Sequence, residues 1–405
     1  MNNKALFKKM LRKTALYFAK NNRFLKCLIK EMIYESQKRS NDSSAVVLIK
    51  DLNKQLADEQ ARKLRPINRA MPVHLTLETT LNCNLRCIMC QNHRNEEERR
   101  RINAINSVMP LELFERVIED ASPELREVCL TVSGEPLMSP NLSKIIDILK
   151  NHSIKLELIT NFTLMNDGLM EKMIKILSNL QVSFDGASKN TFEKIRRGSN
   201  FETVIKNIKR FNDARRQLKE TESPKLFFDI VLMRSNIEEL PGIIELAKEL
   251  EVDNVNCSHV IIFERALEGE SLFRHKALAN EFILKARQKA NQLGVLFNMP
   301  EPFQIGLINS KLKLTKREAV SAEPRFCDFL WKKSYIGFNG DVTPCCVQKR
   351  PVMGNIYQQS LEGIWNGEMY REMRRRLNSP EPFECCKYCY IYPQNPGNGD
   401  DAGNG

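Results

Sequence analysis

Nowhere do the 405 residues run to about eighteen uninterrupted apolar positions, so no membrane-spanning helix is expected. No secretory signal pattern opens the chain, and a chain this long has no need of a disulfide framework. The twelve cysteines therefore indicate a reducing cytosol, where clustered thiols point to metal. Collagen-like and repeat compositions are also missing, and 42 % hydrophobic with 28 % charged residues excludes wholesale disorder. Acid is absent from the first 30 residues, where Lys4, Lys8, Lys9, Arg12, Lys13, Lys20, Arg23, Lys26 and Lys30 supply nine of the twelve net positive charges. The remainder is close to balanced, so no nucleic-acid-binding body is expected.

Within the basic segment Phe7, Met10, Leu11, Ala15 and Phe18, then Phe24, Cys27, Leu28 and Met32, recur at helical spacing around Asn21-Asn22. Two amphipathic helices follow. Residues 1–35 then either dock on an anionic membrane surface or a partner, or pack on the protein's own body. At the other end, residues 393–405 are rich in Gly, Asn and Asp and read as a disordered tail.

Between these ends, β-rich runs at 74–79, 127–132, 155–160, 179–184, 226–232 and 254–260 alternate with helical patterns at 111–121, 142–151, 168–177, 201–218 and 237–250. Six strands alternating with helices predict βαβ units and a parallel sheet, with chemistry at the carboxyl ends of its strands. Four units are expected: 1–71 basic and helical, 72–300 the α/β body, 301–392 a smaller cysteine-rich domain, and 393–405 the tail.

Cys83-Asn-Leu-Arg-Cys87-Ile-Met-Cys90 follows the first strand directly. Three thiolates inside eight residues can hold an iron–sulfur cube from one loop and leave its fourth iron open. Zinc is the other reading, with His93 as the nearest further ligand. Cys27 and Cys129 read as small buried hydrophobes.

This loop, placed after the first strand of a sixfold β/α pattern, closely resembles the radical S-adenosylmethionine (SAM) enzymes. The resemblance implies a partial (β/α)6 TIM-like barrel. It further implies that Cys83, Cys87 and Cys90 hold a [4Fe-4S] cluster whose open iron chelates SAM, reductive cleavage giving a 5′-deoxyadenosyl radical. Ser133-Gly134-Glu135-Pro136 is similar to the family's GGEP motif, which receives the methionine amino group, with Ser133 in place of glycine. Thr160-Asn161 resembles its T-N-G turn, with Phe162 where glycine is common. Ser183-Phe-Asp185-Gly186 looks like its S-x-D-G segment, and Arg196 stands where an arginine pairs with the methionine carboxylate, Arg197 being the alternative. Val231 to Asn236 resembles the segment that passes the adenine edge, and Met89 sits where relatives place an aromatic.

Near the end, Cys327, Cys345, Cys386 and Cys389 can ligate a second centre, with Gly340 opening a hairpin that delivers Cys345. Cys346 and Cys385 are adjacent spare thiols, and zinc suits the same four ligands. The spacing resembles the SPASM/Twitch extension in its short form, with one auxiliary [4Fe-4S] cluster, and is similar to that of a Twitch dehydrogenase of aminoglycoside biosynthesis.

The resemblance implies a radical SAM oxidoreductase or epimerase, cytoplasmic, acting on a carbohydrate or aminocyclitol-type small molecule and fed electrons by a flavodoxin or ferredoxin. Cys257, at the end of the sixth strand, is a candidate hydrogen donor and His259 a candidate proton acceptor; core packing is the other reading of Cys257. Two rival classes are a peptide-modifying maturase and a non-enzymatic metal-stapled scaffold.

Overall fold

The computed structural model describes residues 43–92, 96–103, 105, 107–130, 133–303, 327–347, 349–387 and 389. The basic helices expected before residue 36, His93, Cys27 and the 393–405 tail lie outside the described residues.

The chain begins with a long helix, α1 (Ser43–Arg62), followed by β1 (His74–Leu77), α2 (Glu96–Asn103), α3 (Leu111–Ala121) and β2 (Glu127–Leu130). Next come α4 (Leu142–Asn151), β3 (Lys155–Thr160), α5 (Asp167–Met173), β4 (Leu177–Ser183), α6 (Lys189–Ile195) and α7 (Phe201–Arg215). Strand β5 (Lys225–Leu232), α8 (Leu240–Glu249), β6 (Asn254–His259), α9 (Lys276–Leu293) and β7 (Leu296–Asn298) complete the body. A smaller C-terminal lobe holds α10 (Phe329–Lys332), β8 (Lys333–Ile336), β9 (Asp341–Thr343), β10 (Gly354–Asn355), α11 (Leu361–Trp365), α12 (Glu368–Arg376) and α13 (Glu384–Lys387).

All six expected strands form, each parallel to the next, and β7 continues the parallel series beyond β6. Alternation along β5 shows why the sheet has two unlike faces. Leu226, Phe228, Ile230 and Leu232 are buried against the helices, while Phe227, Asp229 and Val231 point to the inner face. The helices answer in kind: α3 buries Leu113, Phe114, Val117, Ile118 and Ala121, one stripe at helical spacing. Side-chain oxygens of Asn166, Ser188 and Asn200 cap α5, α6 and α7.

Some expectations change. The helix predicted over 168–177 ends at Met173, because the apolar run from Ile174 to Leu177 fits either period and its end starts β4. The helical pattern read from 237 opens as a 3-10 turn, Ile237–Glu239, and runs on into α8 with proline in its first turn. Within the segment read as helical, α1 is tied to the body by Lys50, which donates to the carbonyls of His152 and Ser153 at 3.0 and 2.6 Å. In the smaller lobe, β8 lies parallel to β1 and extends the same sheet to ten strands. The lobe's hairpin turn uses Gly340 at φ +83°, a left-handed conformation that suits glycine.

Candidate active site

Every motif singled out in the body lies at the carboxyl end of a strand, so the sheet gathers residues far apart in sequence. The three-cysteine loop after β1 is pinned to the end of α6 by two backbone bonds, Arg86 N to Arg197 O at 2.8 Å and Ile88 N to Ile195 O at 3.0 Å. Burial pushes the Cys83 thiol up to about 12 and the Cys87 thiol up to about 11. As thiolates, Cys87 and Cys90 would each add to the rise at Cys83 by repulsion, so the three sulfurs converge. Such a set suits a bound metal cluster, whose positive charge favours the thiolates that burial disfavours.

Arg196 supplies a fixed cation beside them. Its Nη1 lies 3.8 Å from Cys87 Sγ, and its Nη2 pairs with Asp185 Oδ2 at 2.6 Å, both side chains being buried. Asp185 is positioned by Val231 N–H (2.7 Å), and burial raises its pKa against the opposing pull of Arg196. Arg196 Nε is buried without a hydrogen-bond partner and so remains open to an anionic ligand. Arg197 is exposed.

The Ser133-Gly134-Glu135 turn fits closely over the start of the three-cysteine loop. A Cβ on Gly134 would stand 2.2 Å from Thr80 O and 2.9 Å from Asn82 O, so only glycine is accommodated. Glu135 N donates to Asn82 O at 2.8 Å. Its carboxylate accepts from Thr160 Oγ1 (2.5 Å), Leu137 N (3.1 Å) and Asn161 N (2.8 Å), so much of its capacity goes to the end of β3. Asn161 in turn donates to Asn84 Oδ1 at 2.9 Å, and Asn84 to Thr163 Oγ1 at 2.8 Å, closing a ring of contacts around the loop. Phe162 takes φ +58°, the conformation for which glycine is common, and is fully buried with its ring edge-on to Phe211. Packing offsets the backbone strain there.

Met89 is brought together with Ile88, Val231, Met233, Val260 and Ile262 in an apolar patch separate from the main core. Ser183 ends β4 opposite Asp229 of β5. Cys257 and His259 are placed differently. The register pairs Cys257 with Ile230 and its neighbour Asn256 with Asp229, which puts Cys257 on the helix side and Asn256 on the inner face. Cys257 packs against the main core. His259 packs at a tilt against Phe273 and Phe303, with ring centroids 5.5 and 5.0 Å away, and burial pushes it down to about 4. Cys257 lies within electrostatic reach of Asp185 and Asp229.

In the smaller lobe, Cys345 lies close enough to Cys327 and Cys385 to be influenced by them, Cys386 to Cys345 and Cys327, and Cys327 to Cys389. Burial raises Cys327 to about 11 and Cys345 to about 12. The adjacent Cys346 points elsewhere: its thiol meets the Tyr335 hydroxyl, which also contacts Thr76 on the inner face of β1. Cys385 hydrogen-bonds Cys386, is buried, and raises Cys345 by repulsion more than any other thiol, so it belongs to the same group of sulfurs. The four thiols expected from the spacing, Cys327, Cys345, Cys386 and Cys389, lie in this group together with Cys385.

Sequence reasoning missed Glu78, which faces Ser133, Phe338 and Arg350 between the two cysteine sets. It belongs to none of the motifs above. Its one signal is its place on the inner face just past β1.

Comparison with known families matches residues 77–247 to the radical SAM superfamily and residues 327–390 to SPASM, an iron–sulfur cluster-binding domain. Among curated proteins, the chain is 24 % identical over 325 residues to the tungsten-containing aldehyde ferredoxin oxidoreductase cofactor-modifying protein of Pyrococcus furiosus, covering 74 % of this chain and 83 % of that protein. It is 23 % identical over 327 residues to the PqqA peptide cyclase of Granulibacter bethesdensis, covering 78 % and 79 %. The antilisterial bacteriocin subtilosin biosynthesis protein AlbA of Bacillus subtilis is 23 % identical over 309 residues, covering 75 % and 61 %. The fold is similar to that of Streptococcus suis SuiB bound to SAM, with a TM-score of 0.57 at 17 % identity over 87 % of this chain and 79 % of that one.

Proposed function

We propose, from the premise that this chain belongs to the radical SAM superfamily and carries a SPASM domain, that it is a peptide-modifying enzyme. A [4Fe-4S] cluster and SAM, when bound, supply a 5′-deoxyadenosyl radical that removes a hydrogen atom from the substrate, and the SPASM domain supplies auxiliary iron–sulfur chemistry. This chain's residues bind and orient. Cys83, Cys87 and Cys90 hold the cluster, Gly134 allows the backbone to approach, and Glu135 fixes that turn to Thr160 and Asn161. Arg196, braced by Asp185, would offer its free Nε to a carboxylate, and the apolar patch around Met89 and Met233 would receive a flat ring. Cys327, Cys345, Cys386 and Cys389 hold the auxiliary cluster.

The peptide reading rests on one observation: curated relatives aligned over three quarters of the chain include a peptide cyclase and a bacteriocin biosynthesis protein. They support it better than the carbohydrate or aminocyclitol oxidation expected from the sequence. The test uses extracts of the source cells grown on deuterated amino acids or on deuterated glucose, separated into peptide-size and small-metabolite fractions. Reconstituted protein with SAM and dithionite should move deuterium into 5′-deoxyadenosine from the amino-acid-labelled peptide fraction. Transfer confined to the glucose-labelled small-metabolite fraction would refute the peptide reading.

A further inference from the structure

The three-cysteine loop and the exit of α6 run side by side in opposite directions, joined by the bonds from Arg86 N to Arg197 O and from Ile88 N to Ile195 O. Between those two bonds Cys87 stands opposite Arg196, and this pair turns inward: both residues are buried, with Arg196 Nη1 3.8 Å from Cys87 Sγ. Side chains alternate across such a pairing, so the neighbouring pair, Arg86 and Arg197, turns outward, and both are exposed. Gly198 then passes over the loop, where a Cβ would lie 3.5 Å from Asn84 O and 3.9 Å from Leu85 Cα.

Two cations therefore face solvent at opposed positions, and exposed Lys194 stands three positions before Arg197. None of the three has an acidic partner within ion-pair distance among the described residues, whereas cations on neighbouring segments do, as in Lys189–Glu202 at 2.9 Å and Arg100–Glu96 at 4.0 Å. Glu193, the one acid on α6, accepts from Phe201 N–H at 3.0 Å instead. Like charges placed directly opposite each other repel, so this arrangement costs stability within the chain. Of the residues between Cys83 and Cys87, Arg86 is the exposed one, so the charge lies over the loop that carries the thiols.

We propose that Arg86, Arg197 and Lys194 form the docking surface for an acidic one-electron carrier protein. Complementary charge steers such an encounter and fixes its orientation, while a small contact area keeps it short-lived. The carrier is oxidised by one electron and the cluster held by Cys83, Cys87 and Cys90 is reduced by one; no bond or proton moves. A substrate is the poorer occupant, because Arg86 and Arg197 turn away from the side on which Cys87 meets Arg196. The inference uses no assignment of the substrate, and its readouts need none, so it stands or falls separately from the peptide reading.

The experiment uses the anaerobically reconstituted, full-length protein and two probes, an acidic flavodoxin and an acidic ferredoxin. Surface plasmon resonance gives the association rate, and stopped-flow absorbance follows reduction by each pre-reduced carrier, with dithionite as the small reductant that needs no docking. Wild type should bind at least one carrier at a rate that falls about tenfold as salt rises from about 0.02 to about 0.5 M. Arg86→Glu/Arg197→Glu should keep its iron, associate about tenfold more slowly or worse at low salt, and lose most of that salt dependence. Its reduction by dithionite should fall far less than its reduction by the carrier. Arg86→Gln/Arg197→Gln covers the case in which charge reversal loses iron, and should slow association part of the way. Lys144→Glu/Lys150→Glu, an equal change of net charge on exposed positions of α4, should associate like wild type. Failure of both carriers to bind or reduce wild type, wild-type association in the Arg86/Arg197 variants, an equal loss with dithionite, or an equal loss in the α4 variant would overturn the proposal.

Discussion

Replacing Arg196 with methionine isolates the most exposed assumption about the site, that one buried cation serves both fold and cofactor. Asp185 is fully buried 2.6 Å from Arg196, and without that partner its remaining donor is Val231 N–H at 2.7 Å. Breaking a buried pair from one side costs about 3–5 kcal/mol, roughly a fifth or more of the stability of an ordinary domain. Methionine fills similar volume, so the loss is electrostatic rather than a cavity. The double variant Asp185→Asn/Arg196→Met removes the stranded charge and should recover at least half of the loss, since replacing both partners is often neutral. Arg196→Lys keeps the charge but loses the planar fork and should sit between them. Thermal unfolding of the reconstituted protein, followed anaerobically by circular dichroism, ranks the four proteins. SAM affinity, measured on the same samples, should stay weak in both methionine variants even where stability returns. An Arg196→Met protein as stable as wild type, or a double variant that regains full SAM affinity, would refute the argument.

Four further outcomes follow from the same geometry. Cys345→Ser should lower iron from about eight to about four per chain, whereas Cys346→Ser should keep about eight, because only the first sulfur faces the other three ligands; iron and sulfide analysis decides. Burial raises Asp229 to about 6, so the folded state holds this proton more tightly than the unfolded chain. Its contribution is then full below about pH 4 and lost as pH rises through about 6, an upper value near 3 kcal/mol, and Asp229→Asn should flatten that part of a pH–stability curve. Phe162→Gly relieves the left-handed strain but empties a buried ring site, and melting should show a net loss of about 2–4 kcal/mol. Cys257→Ala, on the helix side of β6, should cost about 1 kcal/mol of stability and leave 5′-deoxyadenosine formation at the wild-type rate.

Much of the body could be read in advance because its signals are local. Val128 and Leu130, or Leu156 and Leu158, alternate with residues that face inward, and the three-cysteine loop needs only its own eight positions. What escaped was settled by distant partners. Nothing within Lys333–Ile336 says that the strand pairs with His74–Leu77, some 260 residues earlier in the chain. Cys345 and Cys346 carry the same side chain, and only the position of Tyr335 shows which one turns inward. Glu78 and Arg350 form no sequence pattern because their relation exists only where two loops meet. Phe162 departs from the expected glycine, and the compensation lies in Phe211 and in Asn207, which donates to its carbonyl at 2.8 Å.

The pairing of β8 with β1 bears on how far the C-terminal lobe can be treated as a separable part. Its first strand takes the place next to His74–Leu77, and Trp331 and Arg374 reach back to the carbonyls of Arg65 and Pro66 at 2.7 and 3.1 Å. Cutting the chain before residue 327 would therefore strip a row of backbone partners from the strand that introduces the three-cysteine loop and leave a bare, self-pairing margin in its place. Grafting experiments that exchange this lobe between relatives would need to carry β1 along with it, since the seam runs through the sheet and not through a linker.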